Sequence, residues 1–168
     1  MEPTFFFHDK VITIAHWHNL QIMDLSGLLR LEHTDRFEES HEKLYGKFPT
    51  GTVNFSLVRP GTPIAGRPAR VRFEELMRKQ RGQALLSVIV LEERGFVASA
   101  LRAVTRGLTV VSGNKTVEMV ANEAAGIERA LPHLCPKMED RVARAELSLA
   151  IRCVRQHHGQ AAQQAVHT

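Results

Sequence analysis

The stretch Ala84-Leu85-Leu86-Ser87-Val88-Ile89-Val90-Leu91 has Ser87 as its one polar residue, and Gly82 and the turn-forming Glu92-Glu93-Arg94-Gly95 bound it. A run of that length, rich in branched side chains and closed off by turn formers, reads as a strand. It is apolar on both faces, which marks a central strand covered by helices in a parallel α/β sheet. Upstream, Thr52-Val53-Asn54-Phe55-Ser56-Leu57-Val58 alternates apolar and polar residues and forms a second strand with a buried face.

The segments around these strands fill in the rest of the fold. Arg59-Pro60-Gly61-Thr62-Pro63 and Gly66-Arg67-Pro68 form a long loop, and Pro68 opens a helix whose stripe is Ala69, Phe73, Leu76, Met77 and Gln80. Beyond the central strand, apolar positions from Phe96 to Val111 trace a helix, Thr116–Val120 forms a short strand, and Asn122 caps a helix ending at Pro132. On the N-terminal side, Val11–Ala15 and Leu20–Met23 flank His18-Asn19 and make a hairpin, with Asn19 supplying the positive φ. Thr34 then caps a helix carrying Phe37, His41, Leu44 and Phe48. Pro136 opens a last amphipathic helix with Val142, Leu147, Ala150, Ile151 and Val154, and the chain is polar and frayed from Gly159. The expected fold class is therefore α/β: a mixed, mainly parallel sheet opened by a β-hairpin, with helices packed on it and an extra C-terminal helix. The expected organisation is a domain over 1–134, the helix over 135–158 and a tail over 159–168.

The 168 residues are 43% apolar and 24% charged, enough for a hydrophobic core and too apolar for general disorder. No apolar run approaches the roughly 20 residues of a membrane span. The opening MEPTFFFHDK has no basic region followed by an apolar one, so no signal peptide is expected. Cys135 and Cys153 make no disulfide framework and fit a reducing cytoplasm as two buried or half-buried thiols.

At this length, the element order resembles the STAS domains of bacterial anti-sigma-factor antagonists and the related SpoIIAA-like proteins over about residues 8–132. Gly95-Phe96-Val97-Ala98-Ser99, after a strand and opening a helix, is similar to a stretch in a group of SpoIIAA-like proteins. The resemblance implies a STAS/SpoIIAA-like fold and a role in regulation. Phosphorylated antagonists carry an Asp-Ser-Ser-Gly-Leu type segment in the loop after the third strand. Here that loop is Arg59-Pro60-Gly61-Thr62-Pro63-Ile64, with Thr62 its only hydroxyl. A similar string, Asp24-Leu25-Ser26-Gly27-Leu28, falls earlier and reads as a strand end with a glycine turn. Thr62 and Ser26 are thus the two candidate phospho-acceptors, and control through the usual serine is expected to be absent.

Chemical signatures are sparse. His16 and His18 lie on one side of a strand, but two nitrogens are too few for zinc, so no metal site is assigned. No GxSxG elbow, phosphate-binding loop or dinucleotide fingerprint is present, so no catalytic residue and no cofactor is assigned. Glu38, Glu39 and Glu42 read as a solvated helix face, and Glu92-Glu93 as a turn at the sheet's carboxyl edge. Charge is the asymmetric feature. Of the net +4, the segment Arg59–Arg81 holds seven basic residues against Glu74 and Glu75, or +5, which leaves −1 for the remainder.

Arg59, Arg67, Arg70, Arg72 and Arg78 are accordingly the expected docking residues for a protein partner with an acidic surface. The segment lacks interleaved aromatics, so single-stranded nucleic acid fits poorly. Val142, Leu147, Ile151 and Val154 are the expected contact of a homodimer. The functional expectation is a non-enzymatic regulatory or scaffolding interaction module. The alternatives are a carrier or sensor of a small apolar or anionic ligand, since SEC14-like carriers share a related architecture, and an enzyme without a recognisable signature.

Overall fold

Three strand-helix-strand crossovers build the molecule. In the computed structural model the described residues are 1–92, 95–113 and 116–164, without the side chains of 96–98, 101, 108, 109, 111, 112 and 161–164. The strands are β1 (Thr4–His8), β2 (Ile12–Trp17), β3 (Leu20–Leu25), β4 (Thr52–Val58), β5 (Ala84–Leu91) and β6 (Val117–Val120). The helices are α1 (Leu31–Lys47), α2 (Arg67–Lys79), α3 (Gly95–Ser112), α4 (Glu123–Ala130) and α5 (Asp140–Gln164), with a single 3-10 turn at Leu131–His133. One sheet contains all six strands in sequence order; β1, β2 and β3 are antiparallel neighbours, and β3 to β6 run parallel.

That order decides where the helices go. Each parallel crossover steps one strand in the same direction, and right-handed crossovers stepping one way place their helices on a single face. Phe37 of α1 and Leu76 of α2 pack there with Ile12, Ile14, Met23 and Leu25. The opposite face, with Ala15, Trp17, Ile22, Phe55 and Val88, is left to α4 and α5. Ile127, Ala130, Leu147, Ile151 and Val154 complete that core. The strand order never reverses, so the crevice that binds ligands in doubly wound sheets does not form.

Several local expectations are corrected. β1 is an additional edge strand; its three consecutive phenylalanines do not alternate, because the register shifts between Phe5 and Phe7. His18, not Asn19, takes the left-handed conformation at the hairpin tip, with φ of 52°. Asn19 is buried: its amide donates to the carbonyls of Gly51 (3.2 Å) and His133 (2.9 Å), and its Oδ1 accepts the Cys135 N–H at 2.8 Å. α1 starts at Leu31, three residues before the expected cap, and Thr34 donates to the Leu31 carbonyl inside the first turn. There His33 closes the end: its Nδ1 accepts the Arg30 N–H at 3.0 Å and its Nε2 donates to Asp9 Oδ2 at 3.0 Å. Asn122 does cap α4, accepting from the Ala125 N–H at 2.9 Å. α5 begins at Asp140 rather than Pro136, and it stays helical through 159–164, where fraying was expected.

The face beneath α1 and α2 carries one polar row. His16, Gln21, Asn54 and Ser87 stand in register across β2 to β5. His16 Nε2 bonds Ser40 at 2.7 Å, and His41 Nε2 bonds Thr52 at 2.9 Å. Burial pushes both imidazoles down to about 4, helped in His16 by Lys47. Gln21 is fully buried, and neither its Nε2 nor its Oε1 has a hydrogen-bond partner among the described residues.

Candidate functional site

The carboxyl ends of β3, β4 and β5 hold a charged network whose members come from distant parts of the chain. Asp24, at the end of β3, is wholly buried and receives Arg59 Nε at 2.9 Å and Nη2 at 2.6 Å. Arg59 also donates to the Arg155 carbonyl on α5 at 3.0 Å, while Arg155 pairs with Glu92 and, at 3.2 Å, with Glu123. These acids raise the Arg155 pKa although burial opposes them. A bidentate guanidinium on a buried carboxylate is a structural brace, because both partners lose solvent and gain directed bonds. Arg59 therefore leaves the set of expected docking residues, and Glu92 is part of the brace rather than a free turn residue.

Beside the brace stands a serine–histidine pair. His158 of α5 is buried, with Nε2 at 2.7 Å from Ser26 Oγ and Nδ1 at 2.9 Å from Thr13 Oγ1. Burial lowers its pKa first of all, while Asp24 and Arg59 act in opposite senses. Donor counting decides its chemistry. If Thr13 O–H donates to Nδ1, then Nε2–H donates to Ser26, and Ser26 O–H donates to the Lys10 carbonyl at 3.4 Å. No donor is then left over. In the opposite tautomer the buried Thr13 hydroxyl has no acceptor among the described residues, and that carries a desolvation cost. The favoured tautomer has a proton on the nitrogen that faces Ser26, so that nitrogen cannot take the serine's proton. The pair is a latch between α5 and the hairpin, and it occupies the Ser26 hydroxyl proposed as a phospho-acceptor. Thr62, the other candidate, is buried and donates to the carbonyls of Arg59 (2.7 Å) and Leu25 (3.2 Å), closing the loop on itself.

The basic segment is largely neutralised from within. Arg72 pairs with Asp35 (3.3 Å), Glu38 and Glu75 (3.4 Å), and Lys79 pairs with Glu38 at 2.7 Å and with Glu42. Arg78 pairs with Glu74 at 3.5 Å. The acids come mostly from α1, so Glu38 and Glu42 are partners of α2 rather than a solvated face. Among the described residues, Arg67 and Arg70 make no side-chain hydrogen bond or ion pair, and the Arg70 Nε is buried without a partner. Of the five expected docking arginines, these two remain available.

Around them the surface is apolar. Leu28, Leu31, Ile64 and Val71 are exposed. Leu28 and Leu31 line one cleft with Gly66, Pro68 and Ala69; Val71 lines another with Arg67 and Arg70. A cavity of about 130 Å³ lies beside both, sharing Ala69 with the first and Arg70 with the second. Its floor is the sheet (Met23, Leu25, Ser56, Val58 and Ile89), its walls are Phe73 and Met77 of α2 and Val104 of α3, and Pro63 and Ile64 of the loop also line it.

The remaining candidates fall elsewhere. Leu147, Ile151 and Val154 are buried in their own chain's core and are not free to meet a second copy; Val142 is exposed. His16 faces α1, whereas His18 sits at the hairpin tip against Trp17, so the two rings do not converge. No cluster of three metal-ligating side chains occurs among the described residues. Cys135 is exposed rather than buried, and Cys153 is half-buried. Glu93 and the side chains of Phe96, Val97 and Ala98 lie outside the described residues, while Ser99 donates to the Gly95 carbonyl. Among the described residues no helix is long and apolar enough to cross a membrane. The chain matches no protein-family model, no curated protein and no solved structure.

Proposed function

We propose that this protein is a non-enzymatic interaction module that docks a protein partner on the surface around the 59–66 loop and the first turns of α2. The supporting observation is the coincidence, at one place, of four exposed apolar side chains with two arginines that nothing described in the chain engages. Contiguous exposed apolar surface is costly for a monomer and marks interaction sites. The charge of Arg67 and Arg70 selects an acidic partner, one offering an amphipathic segment with bulky apolar side chains and neighbouring carboxylates. Pro60, Pro63 and Pro68 restrict the loop before docking, so less ordering entropy is lost on contact. The satisfied Ser26–His158–Thr13 chain favours this reading over a serine-based enzyme. A role in bacterial regulation or scaffolding, as in the STAS-like proteins it resembles, belongs to the same proposal.

Photo-crosslinking in the native host tests it, with the crosslinker placed in turn at Ile64 and at Val71. One acidic protein captured from both positions, and lost when Arg67→Glu and Arg70→Glu are added, supports the reading. The control, Arg152→Glu on the opposite face, should retain the capture. Absence of a common product, or capture indifferent to the charge reversal, overturns it.

A further inference from the structure

The cavity under the loop is a site in its own right, and its chemistry goes beyond surface docking. It is apolar apart from a few groups, with Leu25, Val58, Phe73 and Ile89 among its lining residues. Of its polar groups, Thr62 spends its hydroxyl on two backbone carbonyls. Two others are unspent among the described residues. The Ser56 hydroxyl, on the floor, makes no hydrogen bond there, and Arg70 lines the cavity with a guanidinium that no described acid engages. A guanidinium without an internal acid keeps its charge available to an anion, and a carboxylate is the acceptor that fits its planar geometry best. An apolar pocket with a few unspent polar groups is the usual form of a small-molecule site.

Size narrows the ligand. A cavity of about 130 Å³ is close to the roughly 150 Å³ of an apolar cavity that admits benzene. It lies below the roughly 300–1,000 Å³ of ordinary ligand pockets, so it takes up a compact body and not the whole of a long acyl chain. We propose that this cavity binds a small monocarboxylic acid with a compact apolar body, of benzoate size. The carboxylate meets Arg70 and the body lies against Leu25, Phe73 and Ile89. The carrier reading, which was of a small apolar or anionic ligand, is thereby narrowed to small aromatic or branched acids. The inference does not depend on protein docking, because the isolated full-length chain is sufficient to test it.

Fluorine NMR of para-fluorobenzoate with the full-length protein gives the test, with fluorobenzene and para-fluorobenzylamine as neutral and cationic comparators. Saturable binding of the benzoate without binding of the amine is expected. Arg70→Gln should weaken the benzoate by roughly tenfold or more while leaving fluorobenzene unchanged. Ala65→Leu, which fills the cavity from the loop, should remove both ligands, as should Ser56→Leu from the floor. Circular dichroism establishes that each variant is folded; if Ser56→Leu is not, Ala65→Leu decides. No saturable benzoate binding, equal binding of the amine, or unchanged affinity in Arg70→Gln overturns the proposal, whatever the crosslinking shows.

Discussion

Arg59 grips Asp24 through two nitrogens, Nε at 2.9 Å and Nη2 at 2.6 Å, and so spends on an internal brace a charge that the sequence placed in an external patch. Asp24 is wholly buried, while Arg59 keeps part of its side chain in solvent. Removing one partner of such a pair strands the other. Arg59→Ala is expected to cost about 3 kcal/mol, at the low end for breaking a buried pair because Arg155 remains nearby. The double variant Asp24→Leu with Arg59→Met should recover much of that loss, since no buried charge is left unpaired. Urea unfolding of the three proteins checks both statements.

Gln21 should behave in the opposite way. Both of its amide atoms are buried without a partner among the described residues, so replacing it with leucine, of similar volume, removes a desolvation cost and breaks no bond. Gln21→Leu is expected to raise stability by about 1 kcal/mol. A urea midpoint below that of the parent protein would contradict this.

Stability should fall with acid before the carboxylates titrate. His16 and His41 are held at about 4 against an ordinary 6.5, by burial first of all. The unfolded chain therefore binds more protons in that window. Their contribution is complete above pH 6.5 and is lost as the pH falls toward 4. Comparing urea midpoints above pH 6.5 with those at about pH 5 isolates the imidazoles from most carboxylates. His41→Gln, which can keep a hydrogen bond to Thr52, should flatten the dependence. An unchanged slope would show that His41 is not one of its sources.

The C-terminal helix should prove indispensable to the fold. Leu147, Ile151 and Val154 have no exposed surface, and α5 packs along β2 and β3. Ile151→Ala is expected to cost about 2–5 kcal/mol. Truncation after Leu134 uncovers the β1–β3 part of one sheet face and should abolish cooperative unfolding, seen as loss of the thermal transition in circular dichroism.

Much of this molecule was legible before its structure. The strand at 84–91, which lies next to the edge strand rather than at the centre, its neighbour at 52–58 and the helices at 67–79 and 95–112 follow from local periodicity and from glycine and proline punctuation, which act within a few residues. β1 escaped because a bulge hides its alternation. The role of α5 was present in the sequence only indirectly: three crossovers stepping one way leave a sheet face bare, and only α4 and α5 remain to cover it. An apolar stripe records that a helix must be buried, but not in which chain.

Tertiary structure alone decided which charges were free. Charge counting along 59–81 treats every arginine alike, yet Arg59 meets Asp24 from 35 residues away and Arg72 meets Glu38 from 34. Arg67 and Arg70, on the same short segment, meet no acid described in the chain. The class of fold is written in local sequence, because secondary structure depends on near neighbours and on the side-chain period of each element. The candidate site came from the fold, because an arginine's availability and a cavity's shape depend on which distant residues the sheet order brings alongside.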